Sequence, residues 1–117
     1  MSIEADIYNT LKAVCARVFP DFAPVSTTRP YCTYQQIGGQ PVNYIEQTLA
    51  DHKNGEFQIN VWADARSSAS ALMLQIEAAL KGASAFTAQP LTAPISDYDA
   101  DVPVYGSRQD WSIWSPR

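Results

Sequence analysis

The residues with the spacing closest to a reactive site are the aspartates of "DYDAD", Asp97, Asp99 and Asp101. They match the first, third and fifth positions of a calcium loop. Such a loop also needs Gly at its sixth position and Glu at its twelfth, and those places hold Val102 and Arg108. The run therefore reads as an exposed acidic loop tip. His52, the single histidine, sits in the polar "ADHKNG" with no partner for a triad or a metal site. Gly38-Gly39-Gln-Pro is neither phosphate-cradling pattern, and its proline removes a backbone donor. There is no Gly-x-Ser-x-Gly elbow. Cys15 falls on the buried side of an expected helix, where a thiol is inert, and with Cys32 it makes no disulfide framework. The expectation is a non-enzyme with no cofactor and no metal.

Bulk properties narrow the class further. At 117 residues the chain is expected to be one domain, 1–117. An apolar fraction of 46 % and a charged fraction of 17 % are globular values. The formal charge is −4, and its eight Lys and Arg residues never cluster, so a basic nucleic-acid footprint is absent. The start, "MSIEAD", is acidic where a signal peptide is basic, and no apolar run approaches a membrane span. Two reduced, buried thiols point to an intracellular setting.

The elements that would position side chains come from periodicity. Residues 2–18 predict a helix. Ser2 is its N-cap, Glu4 and Asp6 lie in its first turn, and Ile3, Ile7, Leu11, Val14 and Val18 line one face. Three prolines make 20–30 a loop, and "YCTYQQIGG" reads as a strand. "PVNYIEQTLA" reads as a second strand, and Asn54-Gly55 as the strongest reversal in the chain. "FQINVWA" then alternates Phe57, Ile59, Val61 and Ala63 against Gln58, Asn60 and Trp62. Asp64 or Ser67 would cap the next helix, whose apolar stripe is Ala69, Leu72, Met73, Ile76, Ala79 and Leu80, with Gly82 as its C′ residue. Residues 83–106, with three prolines, predict an edge strand and a long exposed loop; "RQDWSIWS" closes as a final strand. The sum is an α+β fold: two main helices packed on a four- to five-stranded, mainly antiparallel sheet.

The aromatics carry the remaining information. Tyr31, Tyr34, Tyr44, Trp62, Trp111 and Trp114 crowd the predicted strands, and alternation puts large apolar groups on both sheet faces. Two readings stay open. Either helices cover both faces or Trp is merely half-exposed, or else one face or edge meets another subunit, where Trp and Tyr are enriched.

The order of segments resembles the tail-completion, or tail-terminator, family of long-tailed bacteriophages and prophages. The resemblance rests on the N-terminal helix, "RPYCTYQQIGGQP", "NGEFQINVWADARSSASALMLQIEAAL" and the acidic "YDADVPVYGSRQDWSIW", together spanning nearly the whole chain. It implies a structural protein that caps the head-proximal end of the tail tube, stops its polymerisation and helps join tail to head. It also implies a self-assembled ring, usually a hexamer, contacting the major tail protein and a head connector. DNA would only pass through the ring, and no membrane is involved. The expected setting is the host cytoplasm during assembly and then the virion tail or neck. Contacts are expected from Gln40–Asn54 and Asp97–Arg108, with Tyr44, Glu46, Asn60, Trp62, Asp97, Asp99, Asp101 and Arg108 as candidate residues. The rival reading is an intracellular module holding a small ligand or peptide on an aromatic sheet face.

Overall fold

The computed structural model describes residues 2–41 and 52–116. Ser2 caps the first helix, α1 (Ile3–Lys12), its Oγ accepting the Ala5 N–H at 3.1 Å. The helix stops six residues short of the expected Val18. The N–H groups of Val14 and Cys15 both turn back to the Leu11 carbonyl, at 3.1 and 2.9 Å, and Val18 enters a strand, β1 (Val18–Pro20). The apolar spacing misleads because both geometries satisfy it: Ile7 and Leu11 reach the core from a helix, Cys15 from the turn and Val18 from the strand. Pro20, which has no N–H to give, ends β1 at the sheet edge.

β1 lies parallel to β2 (Tyr31–Gly38), with Val18 beside Cys32. β2 runs antiparallel to β3 (His52–Ala63), which pairs along its whole length with β6 (Val104–Pro116), from His52 beside Pro116 to Ala63 beside Tyr105. The expected reversal at Asn54-Gly55 is thus overturned, since both residues sit inside β3. Long-range pairing uses what the local turn preference offered. The Asn54 amide donates to Ser112 Oγ at 2.9 Å and its Oδ1 accepts the Gln40 N–H at 2.9 Å. A Cβ on Gly55 would stand 2.7 Å from Cε2 of the Phe57 ring, so the missing side chain makes room for a core aromatic. The strand expected over 41–50 falls almost wholly outside the described residues.

The second helix, α2 (Arg66–Gly82), buries Ala69, Leu72, Met73, Ile76 and Leu80 as its spacing requires. Neither Asp64 nor Ser67 caps it, and Gly82 is its last helical residue rather than the C′ glycine, with extended Ala83 at the C-cap. Ala65 occupies the N-cap position without a side-chain hydrogen bond, and Asp64 instead meets Arg29 Nε at 3.0 Å. Residues 83–106 hold two strands where one edge strand and a loop were expected. β4 (Thr87–Pro90) and β5 (Ile95–Asp99) both pair antiparallel with β6, at its C-terminal and N-terminal halves respectively.

The result is an α+β fold with a mixed, six-stranded sheet, ordered β1-β2-β3-β6-β4 with β5 also on β6. This corrects the mainly antiparallel, four- to five-stranded sheet expected from the sequence. The additions are β1, hidden in an apparent helix, and β5, hidden in an apparent loop. Phe57, Ile59, Val61, Ala63, Trp111 and Ile113 meet both helices in one core. Each large side chain buried there contributes roughly 1.5–3 kcal/mol.

Candidate functional site

Strand alternation that sends Phe57, Ile59 and Val61 to the helices sends Gln58, Asn60 and Trp62 to the other face. Register then builds rows across three strands. Tyr31, Trp62 and Gly106 form one row, Thr33, Asn60 and Arg108 the next, and Gln35, Gln58 and Asp110 a third. The amides are linked: Asn60 Nδ2 donates to Gln58 Oε1 at 3.1 Å, and Gln58 Nε2 to Asp110 Oδ1 at 3.3 Å. Trp62 lies flat over Gly106, where a Cβ would stand 2.6 Å from its Cζ3. Among the described residues both helices pack on the opposite face with the core, so helices do not cover both faces, while Trp62 and Trp114 on the far face are half-exposed.

Two segments turn this face into a trough of about 1010 Å³. One wall is the segment 21–29 and the other the β5–β6 turn with Asp99, Val102 and Val104. Arg29 ties the walls together, with Nη1 donating to the Pro103 carbonyl at 3.2 Å and Nε on Asp64. Arg17 anchors the base of the first wall, its Nε donating to the carbonyls of Thr28 and Pro30 at 2.7 and 3.2 Å. Phe22, Val25 and Val102 stand exposed around the trough, Val25 at 96 %. Burial pushes the Tyr31 phenol upward, partly offset by the Arg29 charge, so that hydroxyl stays a neutral donor.

The sequence-predicted residues divide accordingly. Asn60 and Trp62 lie on the floor and Asp99 on a wall. Arg108 shares a row with Asn60 and is exposed. The carboxylates of Asp97 and Asp99 are used within their own hairpin, and Asp101 is exposed there. Asp97 Oδ1 accepts the Tyr98 N–H at 2.9 Å, and the Asp101 N–H donates to Asp99 Oδ1 at 3.0 Å. The acidic stretch expected as a loop is therefore a strand, a short turn and a second strand, with the Asp99 carboxylate as the turn acceptor. Tyr44 and Glu46 lie outside the described residues.

Sequence reasoning missed Phe22, Val25, Arg29, Gln35 and Gln58. The signal for the first two was present: apolar side chains among Pro20, Pro24 and Pro30 that belong to no periodic stripe have no core face to join.

The trough offers amide donors and acceptors, one indole and an apolar rim. Among the described residues no three His, Cys, Asp or Glu side chains gather at metal-binding distance. His52 is exposed at the start of β3. Among the described residues no helix is long and apolar enough to cross a membrane.

A search of curated proteins returns no relative. A comparison with family models matches the tail completion protein gp17 family over residues 4–114, which takes in the trough and nearly all of the two helices and six strands among the described residues. The chain therefore belongs to the tail completion protein gp17 family, a family of bacteriophage tail structural proteins.

Proposed function

We propose that this chain caps the head-proximal end of the tail tube, stops its polymerisation and helps join tail to head, working as a ring of copies that is most simply a hexamer. Family membership over nearly the whole chain carries the reading. The trough supports it: a polar, Trp-bearing sheet face with exposed Phe22, Val25 and Val102 suits a protein partner better than a small ligand. A closed ring needs two different patches per subunit. The trough is one, and Gln40–Asn54, with Tyr44 and Glu46, is offered as part of the other. The partners in this reading are further copies of the chain, the major tail protein and a head connector, assembled in the host cytoplasm and retained in the virion. DNA only passes through, and a lumen lined by Asp97, Asp99 and Asp101 would repel its phosphates.

The test is sedimentation of purified chain with preassembled tail tubes, followed by electron microscopy. Binding at one tube end, with tube growth arrested, is the expected result. A chain that neither binds tubes nor alters their length, and remains a monomer, would instead favour the peptide-binding module. Asp97, Asp99 and Asp101 changed together to Asn retain the acceptor oxygens of the hairpin, so folding should survive while head–tail joining or DNA passage changes. Unchanged plaque counts would remove the lumen assignment alone.

A further inference from the structure

Cys15 lies beyond the end of α1, in the turn that leads to β1, and Cys32 is the second residue of β2. Both are buried, at 4 % and 0 % exposure, in the same core cluster. They converge on one atom. The Arg17 carbonyl accepts the Cys15 Sγ–H at 3.3 Å and the Cys32 backbone N–H at 3.0 Å. That shared carbonyl sets the two cysteines side by side within the core. The thiol reading from the sequence changes on this point, because Cys15 is not isolated on a helix face but faces a second thiol.

We propose that Cys15 and Cys32 are a modification site, converted by a peroxide into an intramolecular disulfide. The bond would close the stretch 15–32, which contains β1 and the Phe22–Arg29 wall of the trough. The Cys15 thiolate attacks one peroxide oxygen, the O–O bond breaks, and the departing hydroxide is protonated to water. Cys15 is then a sulfenic acid. The Cys32 sulfur attacks the Cys15 sulfur, the S–O bond breaks, and the leaving hydroxide takes the Cys32 proton as a second water. Two thiols lose two electrons to one peroxide.

The pair is divided into nucleophile and proton holder. The Cys32 thiol donates to the Cys15 sulfur and lowers its pKa to about 6 despite burial, with help from Arg17. Cys32 is pushed up by that same hydrogen bond and by burial, so it keeps its proton until the second step.

The test treats the purified, reduced, full-length protein with hydrogen peroxide and reads intact mass, peptide maps and thermal unfolding. Expected are the loss of two hydrogens, a Cys15–Cys32 linked peptide, reversal by dithiothreitol and a Tm raised by about 10 °C. The oxidation rate should rise with pH through a midpoint near 6. Neither Cys15→Ser nor Cys32→Ser should lose two hydrogens. Any of three results would overturn the proposal: addition of oxygen without a linked peptide, a disulfide only between chains, or linkage only after urea unfolds the protein.

Discussion

Gly106→Ala should destabilise the protein only while Trp62 is present. An added Cβ would stand 2.6, 2.8 and 3.1 Å from Cζ3, Cε3 and Cη2 of the indole, where carbon pairs are comfortable at about 3.5–4.0 Å. Trp62 would have to lift off β6 and give up its contact with that strand. Overpacking of this kind costs about 1–3 kcal/mol. The backbone at Gly106 is not in the left-handed region, so alanine is otherwise tolerated and gains about 0.4–1 kcal/mol by restricting the unfolded chain. In the Trp62→Ala background the overlap is gone, and Gly106→Ala should become stabilising by that smaller amount. The double-mutant cycle therefore isolates a coupling of about 1–3 kcal/mol, or roughly 4–12 °C in Tm. Urea unfolding followed by far-UV circular dichroism is the assay, since removing Trp62 alters fluorescence by itself. The same sign and size of effect in both backgrounds would refute the Trp62–Gly106 packing, and with it the flat indole on the trough floor.

Three further outcomes follow from separate contacts. Ala65 holds the extended N-cap geometry of α2 without a capping side chain, so Ala65→Ser should raise stability by about 1 kcal/mol in thermal unfolding. Arg66 donates to the carbonyls of Gly106 and Asp97 and sits 5.4 Å from the Tyr105 ring, so Arg66→Met should cost about 1.5–3 kcal/mol and speed amide exchange in β5 first. Phe22→Ser with Val25→Ser, both exposed on one trough wall, should leave Tm within about 4 °C while weakening binding to tail tubes in sedimentation.

Where a residue's placement follows from its own neighbours in sequence, the chain declares it. Ser2 caps α1, β3 buries Phe57, Ile59, Val61 and Ala63, and α2 buries its predicted stripe, apart from the half-buried Ala79. The alternation in β6 likewise sends Trp111 to the core and Trp114 to the far side. An apolar period states which side chains share a face, and burial does the rest. The candidate residues Asn60 and Trp62 were legible for the same reason, as the face that the core leaves over.

What the tertiary structure decided is everything that depends on a partner distant in sequence. Val18 joins β1 because Cys32 offers a ladder, although its spacing also fits a helix. Asn54 and Gly55 stay extended because β6 pairs with them through Trp114 and Ile113, and a local turn preference of a fraction of a kcal/mol cannot compete with a ladder that runs the whole length of β3. Asp99 reaches the trough wall because β5 folds back on β6, and Phe22 and Val25 form the other wall because Arg17 and Arg29 hold their segment in place. Cys15 and Cys32 meet for the same reason. Pattern fixes the face of an element, whereas pairing and loop placement arise from contacts between segments, whose energies no single stretch of sequence contains.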